Sequence, residues 1–447
     1  MRSRKARAVE LFVNQRIIKR QTYKSNNSIH LGFKLHVPLG GVLLVDYNRL
    51  WAKRTKHMKA SEVRELLRWA VEGKVISFGG GMPDPKLFPR EELAQIAREV
   101  IVEMGDKSLQ YGPTQGIPDL REQLIKFMGS EGIRVGDINN VIIVSGSQQG
   151  LDILGRILID PGDVVIVELP TYLAAINALR PYETEFIGIP LDNDGMRTEV
   201  LEDKIKELER EGKKIKFIYT IPTCQNPTGL TMSIERRKHL LEIASKYDLI
   251  IVEDDPYSYY LYEPVEFKHL KAMDKEDRVI YMSTLSKILS PGLRIGWVAG
   301  NEEFIKKMAL AKQSIDLCTS PLNQYIAAEA LRKGVIERHI PKIREIYREK
   351  RDLMLKSLEE NMPEGCRWVK PVGGMFIFTW VPPEIDTKQM LMKCIKEYGV
   401  AYVPGQSFHV DGSGKNTMRL NFTYPSKDKI RIGVERIARA LRDQLSK

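Results

Sequence analysis

The sequence predicts an α/β protein in which a large, mostly parallel sheet lies between helices and a smaller α+β domain follows. Two observations carry this prediction. Between residues 91 and 325, amphipathic helical stretches alternate with short apolar runs, the rhythm of parallel strands whose faces are covered by helices. After a long stretch over 323–361 with Gly or Pro at only two positions, strand-rich sequence returns at 368–381, where a second domain is expected.

The strands of the large sheet are predicted from apolar runs short enough to be strands and bounded by polar or turn residues. They lie at residues 141–144, 164–167, 217–220, 249–252 and 279–282. Ahead of them, residues 61–71 carry apolar positions at helical spacing and are followed by Gly73, which predicts a helix that ends there.

Composition places the chain among ordinary globular proteins. It has 447 residues, of which 43% are hydrophobic and 28% charged, so disordered and fibrous classes are excluded. This length allows two or three domains with a cleft between them, which favours an enzyme.

Positive charge is concentrated at the front of the chain. The formal net charge is +11, but residues 1–44 hold nine basic residues and one acidic residue, which leaves +3 for the rest. The body therefore gives no sign of nucleic-acid binding. Residues 1–44 show no sustained periodicity and are predicted to be a basic, mobile extension or a misassigned start.

Cysteines and apolar runs indicate a cytoplasmic protein without a metal site. Cys224, Cys318, Cys366 and Cys394 are far apart, with no C-x-x-C pair or nearby histidine at metal-ligand spacing. No apolar run approaches the roughly 18 residues of a membrane span, and the patch at 40–45 is too short for a signal peptide.

A first candidate site follows the strand at 141–144, where SGSQQG leads into an amphipathic helix. Exposed backbone amides at such a helix start form a site for an anion such as a phosphate. A simple tight turn is the alternative, and the spacing differs from the G-x-G-x-x-G of dinucleotide-binding folds.

Two further candidates also stand at strand ends. Asn226, in PTCQNPTG, follows one apolar strand, although Asn-Pro and Thr-Gly are also common turn residues. Asp254, in IIVEDDPYSYY, ends the next strand, where three adjacent acids could form a metal site, although such a run of charges is usually a solvated strand end.

The fourth candidate is YMSTLSKILSPGLRIG, residues 281–296, where Lys287 follows small hydroxyl residues at the end of a strand. A lone lysine in this position is usually a surface residue. The hydroxyls of Thr284 and Ser286, together with Arg294, could instead donate hydrogen bonds to a phosphate.

These four motifs, in this order, resemble those of the fold type I pyridoxal phosphate (PLP) aminotransferases of class I/II. The motifs are SGSQQGLD, QNPTG, EDDPY and STLSK, with Arg294 seven residues beyond the lysine of the last. The motif sequences are most similar to those of the kynurenine and 2-aminoadipate aminotransferase subgroup, and the resemblance runs from about residue 60 to the C-terminus. It implies transfer of an amino group from an aromatic, kynurenine, 2-aminoadipate or branched-chain L-amino acid to a 2-oxo acid, with 2-oxoglutarate as the expected acceptor, by a ping-pong mechanism.

The resemblance also implies roles around the cofactor ring. Lys287 would form the Schiff base and move the proton between the substrate Cα and the cofactor. Asp254 would pair with the pyridine nitrogen, Asn226 and Tyr257 would hydrogen-bond the phenolate oxygen, and Tyr172 would stack on the ring.

The remaining implied roles concern the phosphate and the substrate, and the residues are listed by role. The phosphate would be held by Ser147, Gln148, Ser286 and Arg294, with Thr284 close by and Tyr111 supplied by the partner subunit of a homodimer. The substrate would meet Gly81, Asn226 and Arg419, the last of which would bind its α-carboxylate. Thr284 stands where the family often has serine, and Cys224 precedes the QNPTG motif.

The predicted domains are the extension 1–44, a segment 45–84 that joins the small domain, a large cofactor-binding domain 85–325 and a C-terminal small domain 326–447. Two rival functions stay open at this point. One is a PLP-dependent lyase of the same fold, and the other is a PLP-sensing transcription regulator, whose DNA-binding head would need about 50 residues with a core of their own. The preferred amino-acid donor and the residues around its side chain are not set by these motifs.

Overall fold

The computed structural model describes residues 45–58 and 75–446. The chain divides into two units, Met1–Ala52 and Lys53–Lys447. In the first, Tyr47–Leu50 forms one 3-10 turn that Asp46 caps. The extension predicted over 1–44 and the helix predicted over 61–71 lie outside the described residues.

Strands and helices of the second unit are numbered here in chain order. The strands are β1 (Ile76–Ser77), β2 (Val141–Val144), β3 (Val164–Leu169), β4 (Glu185–Asp192), β5 (Gly195–Met196), β6 (Ile215–Thr220), β7 (Ile251–Asp254), β8 (Val279–Thr284), β9 (Gly296–Ala299), β10 (Arg367–Trp368), β11 (Phe376–Trp380), β12 (Val400–Ala401), β13 (Val403–Pro404) and β14 (Thr417–Asn421). The helices are α1 (Arg90–Glu103), α2 (Gly105–Ser108), α3 (Pro118–Ser130), α4 (Ser147–Leu158), α5 (Leu173–Leu179), α6 (Thr198–Arg210), α7 (Ile234–Lys246), α8 (Leu270–Met273), α9 (Glu302–Asp316), α10 (Pro321–Arg332), α11 (Val335–Asn361), α12 (Thr387–Lys393) and α13 (Lys427–Leu445).

The larger sheet has eight strands in the order β2-β9-β8-β7-β6-β3-β4-β5. Strands β4, β3, β6, β7 and β8 pair in parallel, whereas β9 runs antiparallel to both β2 and β8, and β5 runs antiparallel to β4. All five strands predicted from apolar runs are present in it. The prediction of a mostly parallel sheet is confirmed.

Helices cover both faces of this sheet because successive strand residues point to opposite sides. Along β3, Val165 and Val167 belong to one buried apolar cluster, which also includes residues of α4 and α9. Val164 and Ile166 belong to the other, which includes residues of α6 and α7. The sheet is therefore an inner layer of the protein, covered on both faces.

The smaller part is α+β, as predicted. Its antiparallel sheet has the order β10-β11-β14-β13, and β1 pairs in parallel with β12. The stretch 323–361 forms most of α10 and all of α11, separated at Gly334, whose φ of 64° lies in the left-handed region that glycine tolerates. The second proline-or-glycine position, Pro341, lies inside α11 without ending it.

Candidate active site

The carboxyl ends of three neighbouring parallel strands bring the predicted site residues together. Asn226 lies beyond the end of β6, Asp254 ends β7, and Lys287 lies three residues beyond β8. Adjacent parallel strands end at the same edge of a sheet, which is where ligands bind in such folds. These side chains line one cavity of about 260 Å³. The full lining is Ser147, Gln148, Tyr172, Ile221, Asn226, Asp254, Pro256, Tyr257, Thr284, Ser286, Lys287, Pro291 and Arg294.

Asp254 is a buried carboxylate with one oxygen left for a ligand. Its Oδ2 accepts a hydrogen bond from the Tyr219 hydroxyl at 2.7 Å, whereas its Oδ1 has no partner. Burial raises the pKa of Asp254 to about 7, because a charged carboxylate loses its hydration there. The group can thus accept a buried N–H, and a positively charged partner would favour its ionised form.

Lys287 is a buried amine held by backbone. Its Nζ donates to the Gly81 carbonyl at 2.7 Å, and the Tyr260 hydroxyl donates to the Lys287 carbonyl. Burial, followed by the charges of Arg419 and Arg294, lowers the pKa of Lys287 to about 8. A substantial share of the amine is therefore neutral near pH 7.5, which is the form that acts as a nucleophile or base.

An anion site lies at the start of α4, a helix of 12 residues. The guanidinium of Arg294 lies beside it and donates to the Ser145 carbonyl at 3.0 Å and to Ser286 Oγ at 3.4 Å. Gly146, with φ of 74°, allows this approach, because a Cβ there would lie 2.2 Å from the arginine Nη2. A cation and free helix amides thus meet at one point, the arrangement that binds phosphates.

Arg419, on β14, is buried next to the cavity. Its Nη1 donates to Asn226 Oδ1 and its Nη2 to the Gly79 carbonyl, both at 2.8 Å. The guanidinium carbon lies 4.1 Å from the ring centre of Phe376 and 4.9 Å from that of Phe408. Its Nε is buried without a partner, and burial lowers the pKa of Arg419 to about 10. A cation with unused donors is available to a carboxylate.

Two tyrosines complete the wall. Asn226 Nδ2 donates to the Tyr257 hydroxyl at 3.1 Å, so Asn226 joins this tyrosine to Arg419. Tyr172 precedes α5, and burial raises its pKa to about 12. Burial also raises the pKa of Tyr257 well above its ordinary value, so both phenols stay protonated.

The structure gathers all but one of the predicted site residues. Ten line the cavity, and the other two in reach, Gly81 and Arg419, bond to lining residues. Tyr111 is the exception, since it is 77% exposed and does not line the cavity of its own chain. Its contribution to a partner's site stays a prediction.

Sequence reasoning missed four residues that shape the site: Tyr219, Lys350, Phe376 and Phe408. Lys350, on α11, donates from Nζ to Asp84 Oδ2 and to the Thr423 carbonyl, both at 2.7 Å. It thereby ties the loop carrying Gly81 to the residues just beyond β14. A lysine on the mostly polar surface pattern of a long helix gives no sequence signal for this role.

No helix in the described ranges is both long and apolar enough to cross a membrane. Among the same residues there is no group of three or more His, Cys, Asp or Glu side chains placed to hold a metal ion.

The comparison with protein families decides the affiliation. Residues 74–437 match the family described as "Aminotransferase class I and II". The chain belongs to this family. Aromatic-amino-acid aminotransferase 1 of Thermococcus litoralis is 50% identical over 404 residues, which are 90% of this chain and 96% of that protein.

Solved structures agree with this affiliation. The kynurenine aminotransferase of Pyrococcus horikoshii, solved with PMP, kynurenine and product, superimposes with a TM-score of 0.86 at 51% identity, covering 90% of this chain and 98% of that one. LysN, the α-aminoadipate aminotransferase of Thermus thermophilus solved with N-(5'-phosphopyridoxyl)-L-leucine, gives 0.83 at 34% identity, covering 90% and 100%. The resemblance is confirmed, and this protein is a PLP-dependent aminotransferase of fold type I.

Proposed function

We propose that this aminotransferase takes the amino group of an L-amino acid with an aromatic, kynurenine-type, 2-aminoadipate or branched side chain and gives it to a 2-oxo acid, 2-oxoglutarate being the expected acceptor. The observation that carries the proposal is that the Lys287 amine and the unpartnered Oδ1 of Asp254 line one cavity, with Arg419 bonded to its wall. Relatives named for aromatic amino acids, kynurenine and α-aminoadipate, and the leucine adduct bound to LysN, support this range of donors.

The cavity residues fit PLP. Oδ1 of Asp254 is a buried acceptor for a protonated ring nitrogen, and the start of α4 with Arg294 is a site for the phosphate. When bound, this cofactor supplies an electron sink that stabilises negative charge at the substrate Cα.

The chain's own side chains would transfer the proton and bind the cofactor phosphate. Lys287 would hold the cofactor and, once released by substrate, carry the Cα proton, for which its lowered pKa suits it. Ser147, Gln148 and Ser286, with Thr284 close by, would bind the phosphate together with Arg294. Thr284 Oγ1 lies 2.9 Å from Ser286 Oγ, which supports this arrangement.

The ring and the substrate would be oriented by the other wall residues. Tyr172 would stack on the ring, and Asn226 and Tyr257, which already share a hydrogen bond, would bind its phenolic oxygen. Arg419 would bind the substrate α-carboxylate through the donors that its two bonds leave unused. Gly81 would line the substrate space beside Lys287.

We also propose the large and small domains at 85–325 and 326–447, with 45–84 joined to the small domain. The pairing of β1 with β12 and the bond from Lys350 to Asp84 support this for the described end of that segment. The active unit would be a cytoplasmic homodimer in which Tyr111 reaches the partner's phosphate. Its 77% exposure in the single chain is consistent with this role.

The visible absorbance of the purified protein tests the function. A pool of amino acids should bleach the band of the bound aldehyde form of the cofactor, and 2-oxoglutarate should restore it. Splitting the pool then identifies the donor. Release of ammonia and a 2-oxo acid without any acceptor would instead indicate a lyase, and a bound cofactor that no donor changes would contradict the proposal.

A further inference from the structure

Tyr219 contacts Asp254, the carboxylate that lines the cavity, without lining the cavity itself. Tyr219 lies on β6, opposite Val252 of the adjacent strand β7, and is fully buried. Its hydroxyl donates to Asp254 Oδ2 at 2.7 Å, although Tyr219 is not part of the cavity wall. Burial and the nearby carboxylate raise the pKa of Tyr219 well above its ordinary value, so the phenol stays protonated and can donate its hydrogen to the ionised Asp254.

Asp254 accepts fewer hydrogen bonds than two other buried carboxylates of this sheet edge, Glu168 and Asp255. Glu168 accepts from the Thr220 hydroxyl, the Ile221 amide and the Gln225 side chain. Asp255 accepts from Ser258 and from the Tyr281 hydroxyl. Asp254 has the Tyr219 bond on one oxygen and nothing on the other.

A carboxylate held at one oxygen has a defined orientation for the second. Without the bond, the Asp254 side chain could rotate about its terminal torsion, because no other donor in the described part of the chain contacts its oxygens. A bond to a charged acceptor also stabilises the ionised carboxylate, which burial disfavours.

We propose that Tyr219 is a positioning residue, which holds Asp254 ionised and turned so that Oδ1 faces the ring nitrogen of the bound cofactor. This inference rests on the proposed function, in which Asp254 pairs with that nitrogen. Tyr219 itself touches neither cofactor nor substrate and acts only through Asp254.

The test compares Tyr219→Phe with wild type in the binding of two ligands to the apoprotein. The ligands are PLP and its 1-deaza analogue, in which carbon replaces the ring nitrogen, and dissociation constants come from fluorescence titration. Wild type should prefer PLP. Tyr219→Phe should weaken PLP binding about ten- to a hundredfold, the loss expected for one hydrogen bond to a charged group, and leave the analogue nearly unchanged.

Tyr281→Phe is the matched control, because it removes an equally buried hydroxyl from the neighbouring carboxylate Asp255 on the same sheet. It should leave the preference for PLP intact. In an Asp254→Asn background, Tyr219→Phe should have no further effect on that preference, since the two residues act together.

The outcomes distinguish a failure of the role of Tyr219 from a failure of the proposed pairing of Asp254 with the ring nitrogen. If wild type prefers PLP and Tyr219→Phe keeps the whole preference, or weakens both ligands equally, the role of Tyr219 is overturned while that of Asp254 stands. If wild type binds both ligands equally, the proposed pairing of Asp254 fails and the inference fails with it. Thermal unfolding of each apoprotein shows whether a variant has kept its fold. If Tyr219→Phe has not, Asp254→Asn still tests whether the preference for PLP over the analogue comes from this carboxylate.

Discussion

Replacing Arg419 by lysine keeps the positive charge but removes the planar guanidinium and its fixed set of N–H donors. In the structure two of the five guanidinium N–H groups are used, one on Asn226 Oδ1 and one on the Gly79 carbonyl. Three remain, enough to bind a carboxylate with two parallel hydrogen bonds. A lysine has only three donors, so keeping both protein contacts leaves one for the substrate.

The cost of this change follows from that count. One charge-assisted hydrogen bond to the substrate is lost, which is worth about 1.5 to 3 kcal/mol. Since every 1.36 kcal/mol is tenfold, kcat/KM should fall by about 10- to 150-fold. The α-carboxylate is common to all amino acids, and KM should therefore rise for every donor alike.

The assay is steady-state kinetics with one aromatic, one branched and one acidic donor at saturating 2-oxoglutarate. Arg367→Lys is the matched control, because Arg367 stands on β10 of the same small sheet, exposed and 4.2 Å from the ring centre of Trp380. It should leave all three KM values unchanged. An increase confined to one donor would place Arg419 at the substrate side chain and refute the reasoning, as would unchanged kinetics with all donors.

Three further predictions concern the cofactor lysine, a buried ion pair and the front of the chain. Lys287→Ala should abolish transamination while circular dichroism stays unchanged, and near-normal turnover would remove the proposed mechanism. Lys350→Met leaves the Asp84 carboxylate, 13% exposed, without its cation, so the free energy of unfolding in urea should fall by about 3 kcal/mol, whereas a change below about 1 kcal/mol would show that the pair contributes little. Deletion of residues 1–44 should leave activity and dimerisation intact by turnover and light scattering, and a monomeric product would contradict the prediction of an independent extension.

A pH dependence of the apoprotein follows from Asp254. Its pKa is about 7 in the fold against an ordinary 3.8, so the folded state holds the proton more tightly. The contribution of this group to stability is therefore greatest at low pH and is lost as pH rises through about 7. Between pH 5.5 and 8 the melting temperature of wild type should fall more than that of Asp254→Asn, and equal falls would contradict the assignment.

The cofactor side of the site could be predicted from sequence because its signals are local. Asn226, Asp254 and Lys287 each follow an apolar strand within a few residues, and parallel strands end at a common edge. Their motifs also carry the family resemblance. The same locality explains why the five strands with apolar runs are predicted from sequence, whereas the half-exposed β4, which contains Pro190, is not.

The contacts that complete the site join residues far apart in the chain, and no local pattern encodes them. Arg419 is 193 positions from Asn226, and Lys350 is 266 positions from Asp84. Tyr219 looks like one more apolar residue of a buried strand. The one available hint was that a buried phenol needs a hydrogen-bond partner, which points to a contact without naming it.

The order of the site residues along the chain has a consequence for engineering. Apart from Tyr111, which would reach the partner's site, the residues proposed to hold the cofactor come from one continuous part of the chain, 147–294, which belongs to the large sheet. Arg419 lies on β14 and bonds to Asn226 of that part, but the rings that pack against it come from elsewhere: Phe376 is on β11 and Phe408 lies between β13 and β14. Binding of the cofactor and binding of the substrate α-carboxylate thus depend largely on different parts of the chain. A chimera that takes residues 367–421 from a relative should therefore keep its affinity for PLP.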